Sequence, residues 1–108
     1  MIELFLLLVA AHFVADYPMQ GEFLALAKNR LSPNPFCPWY QALGAHAAIH
    51  GGFVGVVTGV WWLGVAEFLA HAAIDDAKCM KRISFNQDQA LHIVCKVLWC
   101  VIAFGVSK

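Results

Sequence analysis

Leu8 to Gln20 reads LVAAHFVADYPMQ. Its start suits lipid, yet it carries a histidine at position 12 and an aspartate at 16. Pro18 pushes Tyr17 out of the helical region and closes the block. A spacing of four stacks two side chains on one helix face, so this stretch predicts an apolar helix with a polar stripe near its end.

The composition extends that reading to the whole chain. Hydrophobic residues make up 61% and charged residues 13% of the 108 residues, and the mean hydropathy is +0.68, far more apolar than a soluble domain of this size. Seven basic and seven acidic residues cancel, which leaves no basic surface for nucleic acid. The partner implied is a lipid bilayer. The length suffices for one helical membrane domain over 1–108. Cys37, Cys79, Cys95 and Cys100 show no CxxC spacing, so they read as buried or reduced thiols.

Four apolar blocks stand out: Ile2–Ala15, Ala42 to about Val57, about Val60 to Ile74, and Ala90–Val106. The first is short for a bilayer and must extend through Asp16 or Tyr17, thin the membrane, or re-enter. A signal peptide is disfavoured, because Glu3 stands where a basic residue belongs and no Lys or Arg precedes Lys28. QGEFLALAKNR predicts a short interfacial helix, and LSPNPFCPW a proline-rich loop. Blocks two and three run almost together, and a turn is expected at Thr58-Gly59 in TGVWW. The expected fold is therefore all-α: an integral membrane bundle of about four short transmembrane helices with an interfacial helix after the first. Four spans put Lys28, Arg30, Lys78, Lys81 and Arg82 on one side and Lys108 on the other. The positive-inside rule then places the loops in the cytoplasm and both termini outside.

All five histidines have a partner four residues away: His12 with Asp16, His46 with His50, His71 with Asp75, and His92 with Asp88. Composition gives any one histidine roughly a one-in-five chance of such a neighbour. The pairs also fall at the same ends of their blocks, so alternating helices bring them to one level, with Glu67 four before His71. Left facing lipid, each ionised Asp would cost about 2.5–3.5 kcal/mol. They should face each other or a cation.

AHFVADYPMQGEF with Lys28-Asn29, HAAIHG, EFLAHAAIDDAKC and DQALHI, in that order, resemble small bacterial and phage integral membrane proteins catalogued only as a domain of unknown function. The resemblance covers most of the chain. It implies a multi-pass helical protein of the bacterial inner membrane sharing His12, Asp16, Gln20, His46, His50, His71, Asp75, Asp88, Gln89 and His92, with Gln20 and Gln89 as hydrogen-bonding supports. It implies no reaction. Asp76 departs from it, standing where an apolar or aromatic residue is expected.

Three readings follow. The first is a divalent metal site, with zinc preferred and one or two ions, ligated by His12, Asp16, His46, His50, His71, Asp75, Asp88 and His92. An open position would activate water for a metal-dependent hydrolase, with Glu67 as general base. The second is helix packing by polar pairs alone, at about 0.6 kcal/mol per bond. The third is proton or metal-ion transport; the outer halves of the blocks offer no polar continuation. Ala47, Gly51, Gly55 and Gly59 form a small-residue stripe for packing within the chain or for a homo-oligomer. Lys96 either snorkels or pairs with a carboxylate such as Glu67. Phe53, Phe68, Trp99 and Phe104 read as apolar filling.

Overall fold

A computed structural model describes residues 1–32 and 35–106. Pro33 and Asn34 of the proline-rich loop, and Lys108 of the charge argument, lie outside the described residues. The elements are α1 (Ile2–Asp16), α2 (Gly21–Ala27), α3 (Trp39–Thr58), α4 (Trp61–Cys79) and α5 (Phe85–Val106). No strand occurs among the described residues, so the all-α expectation holds.

The α3–α4 hairpin turns where TGVWW predicts it. Gly59 caps α3 in the left-handed region at φ 71°, which costs glycine nothing and an L side chain about 1–2 kcal/mol. The Thr58 hydroxyl donates to the Val54 carbonyl at 2.6 Å and accepts from the Val60 N–H at 3.1 Å. The two helices then approach so closely that a Cβ on Gly64 would lie 2.7 Å from the Gly51 carbonyl oxygen and 3.3 Å from the Gly55 Cα. At Gly51 and Gly55 the small-residue stripe is thus engaged within the chain.

Three boundaries move outward from the apolar blocks, and each has a local cause. Helix α3 starts at Trp39 behind an extended Pro38, as suits a residue that cannot donate a backbone bond. Helix α4 runs on past Ile74 to Cys79, closing with Lys81 at φ 63° and an Arg82 N–H donating to the Ala77 carbonyl at 2.9 Å. Helix α5 starts at Phe85 because Ser84 and Gln87 cap it reciprocally: the Gln87 N–H donates to Ser84 Oγ at 3.1 Å and the Ser84 N–H to Gln87 Oε1 at 2.9 Å. Asp88 therefore lies in the first turn of α5 rather than before it. Asp75 likewise lies inside α4 rather than at its end.

Helices stand where the four spans were expected, but among the described residues only α5, at 22 residues and a hydropathy of 1.8, is by itself long and apolar enough to cross a membrane. Helices α1 and α2 reach that standard only as a pair bent by 84°, with Gly21 at φ 68° opening α2. Helix α1 has 15 residues, about 22 Å at 1.5 Å each. Helix α3 has the length but is diluted by His46, His50 and its glycines, and α4 by Glu67, Asp75, Asp76 and Lys78.

The packing is inside-out. Exposed side chains include Val56 (83%), Trp61 (78%), Leu69 (62%) and Val94 (62%), while His46, Glu67, His71 and His92 are fully buried. Apolar residues close one end of the interior, where Leu8, Val54, Leu63, Trp99, Cys100 and Ala103 pack together. The polar residues fill the other end, towards the α1–α2 bend. The four cysteines are free.

Candidate metal centre

Helices α1, α3, α4 and α5 each send a polar stripe into the bundle, and the expected pairs converge. Asp16 Oδ1 lies 3.0 Å from His50 Nε2 and 3.3 Å from His46 Nε2. His46 Nε2 in turn lies 3.2 Å from His71 Nε2. Atoms of Asp16, His46, His50 and His71 thus come within 4.8 Å of one another. The His50 and His71 rings stack at 3.6 Å between centroids, and His71 and His92 at 4.1 Å.

Asp75 joins this group to the next. Its Oδ2 stands 3.2 Å from His46 Nε2 and 3.5 Å from His71 Nε2, and its Oδ1 stands 3.4 Å from His92 Nε2. His92 Nε2 is also 3.3 Å from Asp88 Oδ1. Asp75, Asp88 and His92 form a second group able to offer ligand atoms to one ion. Glu67, His71 and His92 form a third, sharing two histidines with the others.

His12 belongs to none of these groups. Its Nε2 sits 3.4 Å from Asp16 Oδ2 and 3.3 Å from Gln89 Oε1, beside the cluster. Gln89 binds across it, donating to Asp16 Oδ2 at 3.3 Å and to Asp88 Oδ2 at 2.9 Å. Gln20 donates to the Asp16 carbonyl at 3.2 Å and accepts from Lys28. Both glutamines therefore hydrogen-bond carboxylate-bearing segments.

Glu67, the candidate general base, is fully buried. Its Oε1 accepts from Lys96 and, at 3.3 Å, from Trp99 Nε1; its Oε2 lies 3.6 Å from His71 Nδ1. It backs the His71 ring on the side away from Asp75. Lys96 takes the pairing alternative and is 1% exposed. Trp99, expected as filling, has a polar contact that spacing did not reveal.

Lys28 is the residue that the sequence reading missed in the site. It is 2% exposed and donates to Asp75 Oδ2 at 2.7 Å. The bend before α2 carries it back over the cluster, so an apparent loop cation becomes part of the interior. Asp76 behaves differently from its neighbour: it pairs with Arg30 at 3.0 Å near the surface.

The donor set suits a borderline cation. Tetrahedral zinc with ligands at about 2.0–2.1 Å holds neighbouring ligand atoms roughly 3.3–3.4 Å apart. The separations of 3.0, 3.3 and 3.2 Å among Asp16, His50, His46 and His71 approach that spacing. As a hydrogen-bond network it is short of protons, since one Nε2–H of His46 cannot serve Asp16, Asp75 and His71 together. Four carboxylates (Asp16, Glu67, Asp75, Asp88) face two ammonium groups (Lys28, Lys96), and the five imidazoles lie among them.

This chain belongs to the family described as Protein of unknown function (DUF3307), whose model matches residues 4–108. No curated protein and no solved structure matches the chain.

Proposed function

We propose that the protein is a polytopic inner-membrane protein that binds a divalent transition metal, zinc by preference, through Asp16, His46, His50 and His71. The observation that carries this reading is the convergence of three buried imidazole Nε2 atoms and one carboxylate from α1, α3 and α4 at ligand-to-ligand spacing. Glu67 lies behind His71, its Oε2 3.6 Å from Nδ1, close enough to offset the charge of a metal-bound imidazole.

The bilayer reading rests on the inverted packing, because soluble chains seldom cover themselves with large apolar side chains while burying five histidines and three carboxylates. In this proposal α1, α3, α4 and α5 all lie in the membrane, with the short α1 drawing the bilayer thin beside it. The connection carrying Arg30, and the end of α4 with the loop carrying Lys78, Lys81 and Arg82, face the cytoplasm. Reporter fusions at each terminus should give the extracytoplasmic signal, and a cytoplasmic C-terminal signal would overturn the topology.

The apolar end of the interior argues against transport, since beyond Glu67, Lys96 and Trp99 come Leu8, Leu63, Cys100 and Ala103. Packing alone accounts for Lys28–Asp75 and Lys96–Glu67 but not for the crowding of acceptors around His46. Elemental analysis of untagged protein in detergent tests the proposal. It should find at least one tightly held metal ion per chain; substoichiometric metal after careful preparation would refute it.

A further inference from the structure

Four protein donors fill zinc's tetrahedron and leave no position for a reactant, so the Asp16, His46, His50 and His71 set has the character of a closed site. The neighbouring group differs. Asp75, Asp88 and His92 offer only three donors, and sites with three protein ligands keep a position for water or substrate.

Three buried atoms of this group, His92 Nδ1, His92 Nε2 and Asp88 Oδ1, make no hydrogen bond. His92 Nε2 and Asp88 Oδ1 belong to residues no more than 1% exposed and face each other as an ion pair at 3.3 Å without hydrogen-bond geometry. Leaving such atoms unsatisfied costs about 1–3 kcal/mol each, more for charged groups. The neighbours do not relieve them: Lys28 binds the other side of Asp75, at Oδ2, and Gln89 binds the other oxygen of Asp88. Asp88 Oδ1 and Asp75 Oδ1, the latter 3.4 Å from His92 Nε2, therefore converge on one imidazole nitrogen that makes a well-formed hydrogen bond to neither.

We infer that Asp75 Oδ1, Asp88 Oδ1 and His92 Nε2 form a second divalent-cation subsite, distinct from the closed one and open at one coordination position. The inference rests on the metal-binding reading above. Asp75 stands between the subsites, Oδ2 towards His46, His71 and Lys28 and Oδ1 towards His92, so the two subsites lie side by side in the bundle. An ion held by Asp75, Asp88 and His92 would be the one with room to polarise a bound water.

The test is a cobalt(II) titration of metal-stripped wild-type protein in detergent, followed by its visible ligand-field bands and by elemental analysis at saturation. Two equivalents are expected, with different spectra. His92→Ala and Asp88→Asn should each saturate at one equivalent and keep the spectrum of the closed site; His50→Ala should lose that spectrum instead. A wild-type chain that saturates at one equivalent overturns the second subsite and leaves the first standing. A chain that binds none overturns both. The wild-type stoichiometry decides without the variants, and a folded Asp88→Asn that keeps two equivalents also refutes the assignment.

Discussion

Asp75 and Asp76 are adjacent carboxylates with the same chemistry, and the fold gives them opposite surroundings. Asp75 is 2% exposed and lies within 3.5 Å of Lys28, His46, His71 and His92. Asp76 has one ion pair, to Arg30 at 3.0 Å, with side chains 22% and 35% exposed. Asp75→Asn keeps the shape but leaves the Lys28 ammonium buried with only Gln20 as partner, and breaking a buried pair in this way costs about 3–5 kcal/mol. It also removes the charge of a ligand, which should exceed the roughly 10–100-fold loss of metal affinity seen when only a supporting contact is cut. Asp76→Asn should cost at most about 1 kcal/mol, the ordinary range for exposed pairs. Thermal unfolding in detergent, read by tryptophan fluorescence, and metal content after dialysis measure both quantities. Asp75→Asn should lose metal and stability, and Asp76→Asn should keep both. Equal metal retention, or a worse result for Asp76→Asn, would show that the stripe through Glu67, His71 and Asp75 does not line a metal site.

Lys28→Met removes the cation that rests on Asp75, so metal-free protein should lose about 3–5 kcal/mol and recover much of it on adding zinc; a chelator-insensitive Tm would contradict this. Gly64→Ala drives a Cβ to 2.7 Å from the Gly51 carbonyl and should cost about 1–3 kcal/mol by overpacking. Gly52→Ala meets nothing within 4 Å and should be neutral or stabilising by up to about 1 kcal/mol; equal melting shifts for the two would discredit the close α3–α4 approach. Lys81→Gly relieves a positive φ at the end of α4 and should raise stability by about 1 kcal/mol, measurable as a higher Tm with unchanged metal content.

Hydrophobic blocks proved a good guide to where helices lie and a poorer one to where they end. The Thr58-Gly59 turn was legible because one helix from Ala42 to Asp76 would be longer than a membrane needs, and Thr58-Gly59 is the pair in that run suited to a turn. The start of α5 was not read from the apolar pattern, although Ser84-Phe85-Asn86-Gln87 has the spacing of a reciprocal cap. Apolar runs mark what is exposed to lipid or packed in a core, whereas capping marks where the backbone can begin to be helical. For α4 and α5 the two disagree by about a turn or more, and Asp75 and Asp88 fall in the difference.

The site was legible for a related reason. A spacing of four survives any shift of helix boundary, since it concerns one face and not one end, so each His-Asp or His-His pair stayed together wherever its helix began. What spacing cannot carry is the identity of residues that arrive through a bend. Lys28 enters the cluster only because the chain turns by 84° after α1, and nothing at positions 24 or 32, Leu24 and Ser32, marks it as polar-paired. Trp99 escaped because an indole looks apolar until a buried carboxylate such as Glu67 needs its N–H. Both residues serve carboxylates that would otherwise be buried with too few protons around them. The requirement that buried charge be matched could have found Lys28: four carboxylates predicted inside a small bundle demand cations inside as well, and among the described residues Lys28 and Lys96 are the lysines that the fold buries.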